Sequence, residues 1–422
     1  MYSQQYKRYV LFMLLTIYIL NFVDRQILAL LMEPIKLDLS LSDTQLGFMS
    51  GIAFAIFYTA LGIPIARLAD KSHRVNIISC AVAIWSGMTV LSGMAGNFWQ
   101  LLLARIGVGI GEAGCTPPAH SIIADYFSQA ERSRAIATYM LGVPLGILLG
   151  FLVGGWVNEI YGWRIAFIAM GIPGLFFAVI TKLTVKEPLR SYDRDQDDVN
   201  SNSADFLTTL RCLWGMSSFR YLVLAMTLTS FVGSASGQWQ ATFFIRTHEM
   251  TTGELGVWLS LMAGLCGAIG IYLGGLIGTY LGLGSDAKQM KIMAVVALLL
   301  MLTGIASLLV DNKYYALGWV GLSNLFYFLH YGPAYALVIS LAPAPMRAMA
   351  SAIVLLLVNL IGSGFGPQFV GVMSDILAPY SGVDSLRFAI ISSFSFLVFA
   401  IGSFWAVGLT VNEDLDSGGF RK

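Results

Sequence analysis

Charge is what this sequence has least of. Of its 422 residues, 25 are Lys or Arg and 24 are Asp or Glu, together 12%, about half the share found in a soluble globular domain. With 57% hydrophobic residues and a mean hydropathy of +0.73, that scarcity excludes a soluble domain and implies a polytopic membrane protein. A net charge of +1 argues neither for nor against nucleic acid or an acidic partner. Cysteine is scarce too. Cys80, Cys115, Cys212 and Cys266 show no metal-type CxxC spacing, so they read as free structural thiols. His73, His120, His248 and His330 are scattered and form no ligand cluster, and no metal or cofactor is implied. No GxxxxGK[ST] occurs, which disfavours an ATP-driven pump. A membrane-embedded enzyme such as a lipid hydrolase would need a nucleophile–base pair or a metal cluster, and neither is found. The opening MYSQQYKRYV runs into an apolar stretch without a small-residue cleavage site, the pattern of a retained first helix.

Long apolar runs are what is present. About twenty apolar residues suffice to cross a hydrocarbon core of about 30 Å. Twelve such runs are predicted, at about 8–33, 44–68, 75–95, 98–122, 133–157, 163–183, 219–245, 254–280, 289–310, 314–341, 348–374 and 385–410. One long polar break, 186–218, follows the sixth. The expected fold is all-α, with twelve transmembrane helices in two six-helix bundles: residues 1–183, a cytoplasmic linker 184–218, and 219–422 with a short cytoplasmic tail. With both termini inside, eighteen Lys and Arg fall on the cytoplasmic side and five (Lys36, Arg164, Arg246, Lys313 and Arg387) on the other, so basic-residue bias sets that orientation. The halves also resemble each other: Pro118-Ala119 followed by Arg134-Ala135 matches Pro333-Ala334 followed by Arg347-Ala348. Parallel half-repeats are the architecture in which a substrate site forms at the midplane, giving an alternating-access carrier.

Four charges lie where charge is costly. In "NFVDRQ", 21–26, Asn21, Asp24 and Arg25 share one side of the first helix. On the fourth pass, Arg105, Gly109 and Glu112 share a face. Four unpaired charges in lipid would cost on the order of 10–14 kcal/mol, so they are expected to pair or face water, and Asp24–Arg105 or Arg25–Glu112 crossings would satisfy the set. Such a set is either a permanent lock or a protonatable network facing a cavity. A charged lock stabilises poorly compared with apolar packing, which favours the network. Asp24 is the first candidate for the proton carrier and Glu112 the second. Arg25 and Arg105 are candidates for binding an anionic head group, because guanidinium suits bidentate anion recognition. Residues 109–114 also spell GxGxxG, but without a strand–turn–helix context they read as glycines for close helix packing. Further substrate-binding candidates are Asn21, His120, Gln238, Trp239 and Phe243 on the seventh pass, and Tyr327, His330 and Tyr331 on the tenth, with ordinary helix packing as the alternative.

Several stretches carry a family resemblance. "ARLADKSHR" (66–74) resembles the cytoplasmic loop signature of the major facilitator superfamily, with Asp70, Lys71 and Arg74 in its acidic and basic positions and with Ala66 and His73 where Gly is usual. "LLARIGVGIGEAG" (102–114) is similar to its fourth-span signature, and "GVPLGILLGFLVGG" (142–155) to the fifth-span signature of antiporter-like members. More narrowly, 18–51 and 105–127 resemble spinster-type lipid transporters and their bacterial relatives. The resemblance implies a proton-coupled carrier of lysophospholipid or sphingosine phosphate, a monomer in the bacterial inner membrane. It also implies a gating cluster that stabilises the outward-facing state: Asp70 against the start of the eleventh helix near Met346 to Ala350, and Arg74 paired with Asp125. A solvated basic loop is the alternative for Lys71 and its neighbours. The leading expectation is proton-dependent transport of a lysolipid. A carrier of a small organic anion or drug keeps the same fold, and a gradient-insensitive lipid scramblase is the third reading.

Overall fold

Ser3 opens the first helix by accepting a hydrogen bond from the Tyr6 amide at 3.2 Å, and α1 then runs unbroken through Gln4–Leu39. It outruns its apolar stretch at both ends and stops at Ser40, which adopts the left-handed conformation. In this computed structural model the described residues are 2–188, 206–277 and 285–417, without the side chains at 63, 66, 70, 130, 206, 207, 344, 348 and 417. A capping box of Ser42 and Gln45 starts α2 (Asp43–Ser50), which hands over at Gly51 to α3 (Ile52–Lys71) to complete the second pass. α4 (Arg74–Gly93) is the third. The fourth breaks into α5 (Phe98–Glu112) and α6 (Thr116–Tyr126), just ahead of Pro117-Pro118, where a proline lacks the N–H that a continuous helix requires.

α7 (Gln129–Met140) and α8 (Gly142–Thr184) hold the fifth and sixth passes. They turn into one another at Gly162, whose φ of 81° and ψ of 167° suit glycine. After the linker come α9 (Phe206–Gly215) and α10 (Ser217–His248). α11 (Thr252–Leu259) joins α12 (Gly267–Leu276) through a wide π turn at Ser260–Cys266. α13 (Asp286–Leu309) is followed by α14 (Lys313–Leu329) and α15 (Tyr331–Leu341). α16 (Arg347–Leu357) and α17 (Gly364–Ser381) flank a second π turn, Val358–Ser363. α18 (Ser385–Phe394) and α19 (Phe396–Ser417) form the last pass. Seven helical stretches are long and apolar enough to cross a membrane, and two of them, Glu131–Thr184 and Met349–Asp416, run through more than one pass. No strand occurs among the described residues.

The helices pack into two compact units. The first is Met1–Ser191 with Gln238–Gly264, and the second is Tyr192–Gly237 with Leu265–Lys422. The division therefore cuts α10 between Gly237 and Gln238. In the first unit a glycine ridge on α8 sets the contact with α1. A Cβ on Gly146 would lie 2.5 Å from that of Phe22, and one on Gly150 3.2 Å from the Val23 Cα, so only glycine lets the backbones come this close. That contact occupies one face of α1 and leaves Asp24 and Arg25 to helices α3, α4 and α5. The second unit has its own apolar core, which includes Phe219, Met226, Met290, Met293, Phe404 and Val407.

Candidate functional site

Arg25 reaches from α1 to Glu112 at the end of α5, Nε donating to Oε2 at 2.5 Å. Its guanidinium also lies 5.1, 5.2 and 4.9 Å from the ring centres of Phe22, Phe54 and Tyr58. The cation is thus paired on one side and caged by π faces on the others, an arrangement that compensates burial. The Glu112 side chain is fully buried and that of Arg25 is 26% exposed. Glycines bring α5 close enough for this contact. A Cβ on Gly111 would lie 2.6 Å from the Trp85 nitrogen, and one on Gly109 3.3 Å from Phe54. The GxGxxG stretch is a helix-packing feature.

The second expected crossing takes a different form. Asp24 and Arg105 are both buried, yet they make no carboxylate–guanidinium bond. Arg105 Nη2 instead donates to the main-chain oxygen of Asp24 at 3.4 Å, and Asp24 Oδ2 accepts from Thr89 Oγ1 at 3.0 Å. Thr89 in turn also donates to the Trp85 carbonyl at 3.0 Å. Among the described residues, Asp24 Oδ1 and Arg105 Nε and Nη1 are buried without a hydrogen-bond partner. The reason is the direction of the side chains: Asp24 points toward α4, and Arg105 meets the α1 backbone. Asn21 is buried beside them, with its Nδ2 likewise unpartnered.

Two further ion clusters bracket this set. At the start of α4, buried Arg74 donates to Asp125 Oδ2 at 2.5 Å, to Ser121 Oγ at 2.8 Å and to Glu187 Oε1 at 2.7 Å. Glu187 also accepts from the Val75 amide at 2.9 Å, capping α4. The Arg74–Asp125 contact was expected from the sequence. Glu187, the first acid of the polar break, carried no periodic signal that would single it out. Lys71 is exposed, and the Asp70 side chain lies outside the described residues, as does the Asp70 contact with helix eleven.

The other cluster involves residues that sequence reasoning treated only as loop charges or passed over. Arg246, near the end of α10, donates through Nε to Glu33 at 2.7 Å and through Nη1 and Nη2 to Asp43, both at 2.8 Å. Lys36 Nζ meets Asp43 Oδ1 at 2.5 Å. Burial works against the Arg246 charge, but the hydrogen bonds to Asp43 and Glu33 overcome it and keep the guanidinium pKa above its ordinary value. Nearby, the Gly253 amide donates to Glu159 at 2.7 Å and Asn158 to Thr252 at 2.9 Å. These contacts hold the start of α11 in the first unit.

The aromatic candidates divide. Trp239 and Phe243 are 0% and 1% exposed. They are core residues of the first unit in this structure rather than lining for a ligand, because their faces of α10 are spent on packing. Gln238 is half-buried, and its Oε1 is buried without a partner. His120 packs edge-on against Tyr139 at 5.5 Å, and its Nε2 is also unpartnered. In the second unit Tyr327 and Tyr331 share a hydroxyl contact of 3.2 Å, with Tyr335 next along the same face, 6.0 Å from Tyr331. All three are half-buried. His330 is buried, with Nδ1 2.5 Å from the Tyr327 carbonyl and its ring against Phe404, so it packs within its bundle rather than lining open space.

Comparison with known proteins agrees with this architecture. A family model of the Major Facilitator Superfamily matches residues 14–367. An MFS-type efflux pump of Mycolicibacterium smegmatis is 32% identical over 372 residues, 88% of this chain and 85% of its own. A probable sphingolipid transporter, spinster homolog 2 of Arabidopsis thaliana, is 24% identical over 392 residues, 89% of this chain and 78% of its own. The chain spans about half the length of protein spinster homolog 1 of Xenopus tropicalis, matching 46% of it. The crystal structure of a bacterial homolog of the human lysosomal transporter spinster, inward-facing and unoccupied, superposes with a TM-score of 0.89 at 31% identity, covering 98% of this chain and 99% of that one. With twelve helical passes and a family match over most of its length, the chain belongs to the major facilitator superfamily, as an all-α membrane transporter similar to the spinster-type members.

Proposed function

We propose that this protein is a proton-dependent secondary transporter of lysophospholipid or a related amphipathic lipid, working by alternating access. The observation that carries the reading is the pair of unspent valences at the centre of the first unit: Asp24 Oδ1 and two Arg105 N–H groups, all buried and without partners. A buried carboxylate oxygen with nothing to accept from is suited to taking a proton, and a buried guanidinium with free N–H groups is suited to an anionic head group. Protonating Asp24 removes one of the negative charges close to Arg105, whose main-chain contact holds the two residues together, and favours a phosphate on the guanidinium. Deprotonation restores the competitor and expels the head group. Glu112 keeps Arg25 in its aromatic cage and is the second candidate for the proton.

The lipid assignment leans on the spinster relatives, one of them named as a probable sphingolipid transporter. The gates are assigned to Asp70, Lys71, Arg74 and Asp125, with Glu187, on the cytoplasmic side and to the Arg246 cluster on the other. Both termini face the cytoplasm of a bacterial inner membrane, the working unit is a monomer, and the halves 1–183 and 219–422 flank the linker. A second reading, export of a small organic anion or drug, is favoured by the 32% identity to an MFS-type efflux pump.

Purified protein in liposomes tests both readings. Labelled lysophospholipid should cross faster under a pH gradient, and Asp24→Asn should abolish the gradient's effect while leaving slow counterflow. Gradient-driven transport by Asp24→Asn at the wild-type rate would remove the proton assignment. Transport of drugs with no lysolipid movement would transfer the function to the second reading.

A further inference from the structure

Helix α9 lies against α16 within the second unit, and between them is a cavity of about 370 Å³ lined by Leu210, Arg211, Trp214, Ile353, Leu356 and Leu357. Its floor is closed, since Ile353 is 2% exposed and Leu213, which anchors α9, is fully buried. Its rim is open: Arg211 is exposed and Trp214 is 45% exposed. Five of the six side chains offer no charge, and the sixth is a cation. The helices that form the groove, FLTTLRCLWG and RAMASAIVLLL, each carry one Arg and no acid.

We infer that this groove is a binding site for an anionic phospholipid of the adjoining leaflet, one acyl chain lying in the groove and the phosphate on Arg211. The volume falls in the range of built small-molecule sites. Water gains nothing in a carbon-lined space of this kind, whereas an acyl chain restores the dispersion contacts that an empty groove forgoes. Trp and Arg side by side at the mouth match the depth of the head groups, where an indole and a snorkelling guanidinium both find polar partners. The sign of the charge selects an anionic lipid. A charged side chain would be desolvated in so apolar a groove, which leaves an acyl chain as the fitting occupant. This site is separate from the proposed transport site and does not depend on it.

The test uses the full chain in detergent with phosphatidylglycerol or phosphatidylcholine bearing a diazirine at the acyl terminus. Phosphatidylglycerol should label peptides containing Leu210–Trp214 and Ile353–Leu357, and unlabelled phosphatidylglycerol, unlike phosphatidylcholine, should compete. Arg211→Gln should weaken that labelling about five-fold. Arg220→Gln, an exposed neighbour whose Nη2 donates to Ser217, should leave it unchanged. Leu357→Trp should block labelling by filling the groove, and because Arg211→Gln alters only an exposed side chain, its result stands even where the filled variant misfolds. Equal labelling by both lipids, equal loss in both Arg variants, or no label on these peptides would each overturn the assignment.

Discussion

Arg25 and Glu112 differ in how much each has to lose from the other. Arg25 keeps three aromatic faces and partial exposure when its carboxylate is removed. Glu112 keeps nothing comparable, being fully buried with Arg25 as its bonded cation. Breaking a buried pair costs about 3–5 kcal/mol because a charge is left uncompensated. Arg25→Gln should therefore destabilise by about 4 kcal/mol and Glu112→Gln by less, and the double variant should recover part of the loss. Thermal midpoints of the four proteins in detergent check the order. Equal losses would mean that the cage contributes nothing. The sequence made this pair legible, since four charges in apolar runs must find partners. It could not decide between Asp24–Arg105 and what is seen, because periodicity places a side chain on a face without fixing which atom it meets.

At the scale of helices, glycine does in both halves what spacing alone suggested for one. Gly142, Gly146, Gly150 and Gly154 on the fifth pass face Tyr18, Phe22, Val23 and Ile27 of the first. In the second unit, a Cβ on Gly362, at the start of the eleventh pass's second half, would lie 2.7 Å from that of Ser230 on the seventh, and one on Gly366 3.0 Å from the Ala235 nitrogen. The pairing of first with fifth passes is thus repeated, which gives physical content to a weak sequence repeat. The breaks repeat as well, at residues 113–115 before Pro117-Pro118 and at His330 before Pro333. Proline and glycine announce these features in the sequence. The two π turns have no such marker, because one extra residue per turn changes no composition. Gly146→Ala should cost about 2 kcal/mol, as overpacking does in a close crossing. Gly237→Ala, with nothing within 4 Å of its added methyl, should be neutral or stabilise by about 0.5 kcal/mol. Parallel unfolding curves would show the contrast.

For the molecule as a whole, hydropathy was enough to lay out twelve passes, because it acts on every residue of a span at once. The grouping of Gln238–Gly264 with the first unit was not legible. It depends on ionic and close backbone contacts between residues far apart in the chain, such as Arg246 with Glu33 and Asp43 and Gly155 with Thr252. Arg246 looked like one of five basic residues on the sparse side of a membrane. With two carboxylates bonded to it, it reads, on the proposed alternating-access cycle, as a latch that must open once per cycle if the Arg246 end of α10 and the start of α11 are to leave α1. A static tie and a cycling one predict different behaviour under reversible cross-linking. In a Glu33→Cys, Arg246→Cys double variant, a short bis-methanethiosulfonate should arrest lysolipid transport, and reductant should restore it. Each single variant treated in the same way should keep its untreated rate. Cross-linked protein that transports at the unlinked rate would mean that this contact stays closed throughout, leaving the opening movement to another part of the first unit.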